Sequence, residues 1–191
     1  MNPIVRLAAT DLPGDRKFIL FAGAGVSKDA GIPTAWDLML KTAALLYASE
    51  NEEIDTNIDL QEWFVASKYA QMSYSDLIAQ IYPNYPDQQR FLKKYLTAHK
   101  IGESHLLLAE LARRGIIRAI VTTNFDLFIE KALEGKGMEA QVISTDEDLQ
   151  HSEPLIHCRV VRVYKPHGTL GRGALKNTPK DLESLSPVME N

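Results

Sequence analysis

Short apolar runs separated by helical stretches predict an α/β protein built on a Rossmann-like parallel sheet, with a helical subdomain inserted after the first strand. Three observations carry that prediction. Residues 17–22 form an apolar run that stops at Gly23-Ala24-Gly25, the pattern of a buried strand entering a tight turn. Residues 116–123 form a β-branched apolar run that leads directly into Asn124-Phe125-Asp126 and then into another helical pattern. Between the two runs the pattern is helical almost throughout, too long for a simple crossover, and this predicts a subdomain over about residues 49–114.

After the first strand, Thr34 reads as the N-cap of an amphipathic helix. Trp36, Met39, Leu40, Ala43, Ala44 and Tyr47 recur at the spacing of one buried face. Residues 49–59 are acidic and polar and predict a loop. Leu60, Trp63 and Phe64 open a second helix, and Ser73 caps a third. Phe91, Leu92, Tyr95 and Leu96 mark a fourth, and Leu107, Leu108 and Leu111 a fifth that ends near Gly115. Residues 127–133 predict the helix that follows the second strand, stopped at Gly135. Residues 139–143 and 159–164 are two further strands. Residues 177–191 are polar with two prolines and are expected to form a mobile end.

At 191 residues, with 45% hydrophobic and 24% charged residues, the chain has the make-up of a single soluble globular domain with an ordinary core. Lys and Arg number 21 against 25 Asp and Glu, a net charge of −4 with no basic half. That balance argues against a polyanion groove and direct nucleic-acid binding. The one cysteine, Cys158, excludes an internal disulfide framework and a cysteine-rich zinc cluster. Asp11 and Asp15 precede any sustained apolar stretch, and no apolar run is long enough to span a bilayer. The expectation is a soluble, cytoplasmic protein that does not engage membranes.

Three segments fall just past the carboxyl ends of predicted strands, where open α/β sheets bind ligands. They are Gly23-Ala24-Gly25-Val26-Ser27 with Gly31-Ile32-Pro33, then Thr122-Thr123-Asn124-Phe125-Asp126, then Lys165-Pro166-His167-Gly168. Gly-Ala-Gly after a strand lets backbone amides approach a phosphate, or else makes a tight turn with small residues for packing. The dehydrogenase fingerprint fails, because Lys28 stands where its third glycine belongs and helix follows where its acidic residue should close a strand. Asn124 and Asp126 suit a polar site or, equally, helix capping. His167, between Pro166 and Gly168 at a strand end, is placed to titrate near neutrality. His99, His105, His151 and His157 have no such setting and read as surface or satisfied core residues.

In this order the motifs GAGVS, GIP, TTNFD and PHG resemble the sirtuin family and its bacterial sirtuin-like branch, over about four-fifths of the chain. The resemblance implies an NAD-binding fold with a helical subdomain closing over the dinucleotide. It assigns Gly23, Ala24, Gly25, Val26 and Ser27 to a phosphate-side loop, with Pro33 and Thr123 as further contacts. It implies that Asn124 and Asp126 hold the nicotinamide ribose and carboxamide, and that His167 stands beside the ribose. Trp36 is expected to wall the nicotinamide pocket.

Departures from the family refine this. Protein-deacylating sirtuins follow His-Gly with cysteine pairs that hold a structural zinc, whereas Gly168 is followed by Thr169-Leu170-Gly171-Arg172. They also carry Asp-Phe-Arg after Gly-Ile-Pro, where this chain has Thr34-Ala35-Trp36. Trp36 and the phrase TTNFDLFIEKAL resemble instead the NAD-consuming domains of bacterial anti-phage systems. The adenosine-side Gly-Ser loop of the family is absent after His167, so residues 1–191 read as one sirtuin-like domain expected to be incomplete at its C-terminus. Uncovered sheet and helix faces then predict a homo-oligomer or association with a fused or separate sensor chain.

The reading is an NAD glycohydrolase with NAD as substrate and no metal, in which Asn124 and His167 carry the chemistry. The alternatives are an NAD-dependent protein deacylase and a nucleotide-sensing or scaffolding module without turnover. Elemental analysis of the purified protein is expected to find no stoichiometric zinc; one zinc per chain would reinstate the deacylase.

Overall fold

The computed structural model describes residues 17–51, 53, 55–96, 100–172 and 175–176. Predictions for residues 1–16 and 177–191, and for His99, lie outside the described residues. Four strands, β1 (Phe18–Ala22), β2 (Ile117–Thr122), β3 (Ala140–Ile143) and β4 (Val161–Tyr164), form one sheet in the order β1-β2-β4-β3. Every pairing is parallel, so all four carboxyl ends emerge on one side. The Rossmann-like α/β expectation holds. Parallel strands need crossovers, and helices supply them.

Among the described residues the first crossover contains five α-helices: α1 (Ala35–Glu50), α2 (Leu60–Ala66), α3 (Tyr74–Ile81), α4 (Tyr85–Leu96) and α5 (Glu103–Arg113). After β2 comes α6 (Phe128–Gly135), and a short α7 (Asp146–Gln150), not foreseen in the sequence, joins β3 to β4. The caps follow their residue types. The Thr34 hydroxyl accepts from the Asp37 amide at 3.3 Å, while the Asp37 carboxylate accepts from the Thr34 amide at 2.8 Å. Ser73 and Asp76 form the same reciprocal box on α3, and Thr145 and Asp148 form it on α7. The α6 helix runs through Gly135 and is turned off at Gly137, whose φ of 70° suits only glycine comfortably.

Three apolar clusters hold these layers. On one face of the sheet, Ala109 and Ala112 of α5 and Ile129, Ala132 and Leu133 of α6 pack on Ile120 and Val163. A second cluster joins Ile32 and Leu38 to Ile78, Leu92 and Leu96 of the helical stretch and to Phe125 and Phe128 beyond β2. A third lies wholly among α1, α2 and α3, around Ala43, Leu46, Phe64 and Leu77. The second cluster links the helical stretch to the sheet.

Two expectations need correction. The first strand is not buried: Ile19 and Phe21 are 55% and 80% exposed, while Leu20 and Ala22 face the α5–α6 side. The β1 strand is at the sheet edge, and among the described residues only its inner face meets a helix layer. The buried face of α1 is also rotated from the expected one. Leu38, Thr42, Ala43, Leu46 and Tyr47 are its buried residues, and Trp36 is left 41% exposed. The helix packs against both α2 and α3, so two neighbours rather than one select its inward residues.

Truncating the fully buried Leu133 to alanine is expected to cost about 2–5 kcal/mol of folding stability. Phe21→Ala should stay within about 0.5 kcal/mol. Urea denaturation of both variants checks this, and a comparable loss at Phe21 would mean that the outer β1 face is covered in solution.

Candidate functional site

The three expected segments do converge at the carboxyl ends of β1, β2 and β4. The chain leaves β1 through Gly23 into a 3-10 turn, Ala24–Ser27, that ends on the fully buried Ser27. The Ser27 hydroxyl donates to Asp126 Oδ2 at 2.8 Å and accepts from Asn124 Nδ2 at 2.9 Å. Its third partner is His105 Nε2 at 3.2 Å. A hydroxyl has one proton and two lone pairs. Its proton goes to the carboxylate and Asn124 fills one lone pair, so His105 must be the tautomer that carries its proton on Nε2. Burial lowers the His105 pKa, against the pull of Asp126, Asp29 and Glu130, and favours this neutral form.

The same accounting fixes Asn124. Its Nδ2 donates to the Gly23 carbonyl at 3.1 Å as well as to Ser27, so both amide hydrogens are committed. A carbonyl can only accept, which settles which end of the amide faces it. The group left for a ligand is the Oδ1 acceptor. Toward the pocket, Asn124 accepts.

Asp126 and the turn before it are held from beneath. Asp126 Oδ1 accepts from the Phe128 amide at 3.0 Å, which fixes the turn that leads into α6, one residue before the helix's N-cap, Leu127. Lys165, 1% exposed, donates through Nζ to the Asp126 carbonyl and to Thr169 Oγ1, and pairs with Glu130 Oε1 at 2.7 Å. Leu170 N donates to the Phe125 carbonyl at 2.9 Å. The segment after β4 thus fastens the segment after β2. A buried ion pair is of little net stabilising value, but losing one partner strands the other charge, so it acts as a fixed peg.

A cavity of about 230 Å³ opens above this network. Asn124, Asp126, Thr123, Ala24, Ser27 and Pro33 line its polar side, with His167 beside them. Leu38, Tyr74, Leu92 and Leu96 from α1, α3 and α4 form the opposite wall. The His167 ring lies 6.4 Å from that of Phe125, and burial lowers its pKa. Gly23 and Gly25 have open space where a Cβ would stand, and neither has a positive φ. Neither packing nor backbone conformation therefore demands glycine there. Access for a ligand to the backbone amides would.

Other expected residues stand apart. Trp36 does not line the cavity: its ring sits edge-on to Phe64 at 6.1 Å, on the helical stretch. Val26 packs against the α5–α6 cluster. His151 and His157 are exposed. His105, read from sequence as surface or satisfied core, is core but half-satisfied, since its Nδ1 has no partner among the described residues. Its signal was available: His105, Ala109 and Ala112 share the inward face of α5, and a polar residue on an apolar face calls for a partner. Tyr74 and Glu130 went unmarked, and Lys165 was marked only as part of its segment. Among the described residues no three His, Cys, Asp or Glu side chains cluster as metal ligands, and no helix is long and apolar enough to cross a membrane.

Residues 118–190 match the family model of the SIR2-like domain. The chain is 29% identical to the NAD(+) hydrolase ThsA of Bacillus cereus over 177 residues, which is 88% of the chain and 32% of that protein. It is 28% identical to the NAD(+) hydrolase ThsA of Cytobacillus dafuensis, over 81% of the chain and 27% of the relative. The NAD(+) hydrolase ThsA of Acinetobacter baumannii is 27% identical, again over 81% of the chain and 28% of the relative. The chain thus spans under a third of the length of these curated relatives. These matches bear out the resemblance to sirtuin-like domains carried by the four motifs.

His105 and His167 both have folded-state pKa values below the ordinary 6.5, so the unfolded chain takes up their protons first. Their contribution to stability is complete above about pH 6.5 and is lost as pH falls from there through the folded values. Urea midpoints should therefore drop between pH 7.5 and 5.5, and His167→Gln should flatten the slope. A midpoint that rises on acidification would contradict the buried, neutral assignment.

Proposed function

We propose that this cavity holds the nicotinamide end of NAD and that the protein is an NAD glycohydrolase of a bacterial anti-phage defence system. The observation that carries the proposal is the free acceptor of Asn124, fixed by two donated bonds at the rim of a cavity that His167 and Asp126 also line. The names of the relatives support it, as do the glycines with open space beside them. The volume suits one end of a dinucleotide, since pockets that enclose a whole drug-sized ligand run to about 300–1,000 Å³. The adenosine end would lie outside this cavity.

The chemistry asks little of an acid. Nicotinamide leaves a cationic pyridinium as a neutral molecule, breaking the bond between its ring nitrogen and the ribose C1′. A water oxygen bonds to C1′ and a proton is released. The site must stabilise the oxocarbenium-like ribose and aim the water. Asn124 Oδ1 accepts a hydrogen from that water and points its lone pair at C1′. Neutral His167 accepts from a ribose hydroxyl or takes the released proton. Asp126 receives the carboxamide N–H, while its own position is set by Ser27 and Phe128. Thr123, Ala24 and Pro33 bound the ribose and the first phosphate, and the wall of Leu38, Leu92 and Leu96 excludes bulk water, which strengthens each of these interactions.

In the full-length protein, Asn124→Ala is expected to cut nicotinamide release about 10²–10³-fold without unfolding the chain. His167→Ala should reduce it more than alanine at any other histidine except His105, whose loss would also disturb Ser27. Release at the wild-type rate by a folded Asn124→Ala protein would defeat the proposal.

A further inference from the structure

A second concavity, of about 630 Å³, lies on the outer side of the loop that leads from Ser27 to α1. Four lysines border it: Lys28 on that loop, Lys41 on α1, Lys94 on α4, and Lys100 before α5. Lys41 and Lys94 both reach the ring of Tyr95, their ammonium groups 5.2 and 5.5 Å from its centroid. One aromatic ring therefore gathers two like charges. Among the described residues none of the four lysines has a carboxylate within ion-pair distance. Asp37 is the carboxylate on the groove wall, and its oxygen is already engaged by Thr34 in the cap of α1. Nearby Asp29 accepts from the Ser104 amide. In sequence, the residues between Leu96 and Lys100 are Thr97, Ala98 and His99, which bring no carboxylate.

In a chain of net charge −4, this local excess of positive charge is not a reflection of composition. Among the described lining residues, four ammonium groups face the single Asp37 carboxylate, which Thr34, Lys28 and Lys41 hold ionised; the remaining like charges repel, and a bound anion removes that repulsion. We propose that the groove is an anion site for a small molecule carrying two or more phosphates. Lysine supplies mobile point charges rather than the planar fork of arginine, which suits a flexible phosphate chain. The groove has the size of a small-molecule site, and the negative charge of the whole chain disfavours a long polyanion. Ile32 and Pro33 border both this groove and the cavity beside Asn124, so a ligand here would brace the loop that walls the nicotinamide-end site. The phosphates have two sources: the pyrophosphate of NAD reaching out of its cavity, or a separate phosphorylated ligand. The groove itself does not depend on the NAD proposal.

Calorimetry with inorganic tripolyphosphate tests it on the full-length protein. The measurement is made in about 0.15 M salt, where diffuse surface attraction is screened beyond about 8 Å. The expectation is saturable one-to-one binding, weakened about tenfold or more by K41Q/K94Q and unchanged by K68Q/K136Q, which removes two lysine charges outside the groove. Unchanged thermal melting of both variants shows that folding is not the cause. Adding NAD then separates the sources: displacement assigns the groove to the dinucleotide's own pyrophosphate, and independent binding assigns it to a second ligand. No saturable binding, or equal weakening by both double variants, overturns the proposal.

Discussion

One buried hydroxyl holds the site together. Ser27 joins segments that are 78 to 99 residues apart in the chain: the turn after β1, the segment after β2, and the start of α5. It does so at full capacity, with one bond donated and two accepted, and in a buried setting each bond polarises the others. Everything above it inherits that order. The tautomer of His105 and one oxygen of Asp126 are decided by this oxygen, and the Asn124 amide, turned by the Gly23 carbonyl, is anchored on it. Alanine in its place would leave His105 Nε2 and Asp126 Oδ2 unpaired, a cost of about 1–3 kcal/mol for each such group, and would take from Asn124 one of its two donated bonds.

The sheet makes the convergence possible. Because all strands are parallel, the segments after β1, β2 and β4 emerge side by side. Lys165 then locks the last of these to the second, through the Asp126 carbonyl and Glu130. The helical stretch contributes differently. Among the described residues it brings no charged group to the cavity, only Ala35, Leu38, Leu92 and Leu96 and the phenol of Tyr74, which burial keeps protonated by raising its pKa to about 12. A polar floor fixed by hydrogen bonds therefore faces an apolar wall held by side-chain packing, which is a drier setting than either would give alone.

What the sequence revealed follows from this division. The floor was legible because each piece is local: glycines after an apolar run, Asn-Phe-Asp after a β-branched run, and His-Gly after the fourth strand. Thr34 and Ser73 were legible as caps because capping is decided within four residues. The wall was not, since which face of α1 looks inward depends on α2 and α3, and that turned Trp36 outward and Leu38 in. The Lys165–Glu130 pair joins residues 35 apart in sequence, and neither residue type announces burial. The exposure of β1 was hidden for a similar reason. An apolar run signals a strand, but its place at the edge of the sheet is a property of the other strands.

The proposed placement puts the nicotinamide end of NAD at the carboxyl ends of the strands, on the Ser27-centred floor. A crystal structure of the full-length protein with a non-hydrolysable NAD analogue tests this most directly. The pyridine ring is expected inside the cavity beside Asn124, with its carboxamide on Asp126 and its ribose against His167. A rival concavity of about 550 Å³ exists at the amino ends of the strands, lined by residues such as Arg118, Glu139 and Arg159. Density for the analogue there, with the Asn124 cavity empty, would contradict the account.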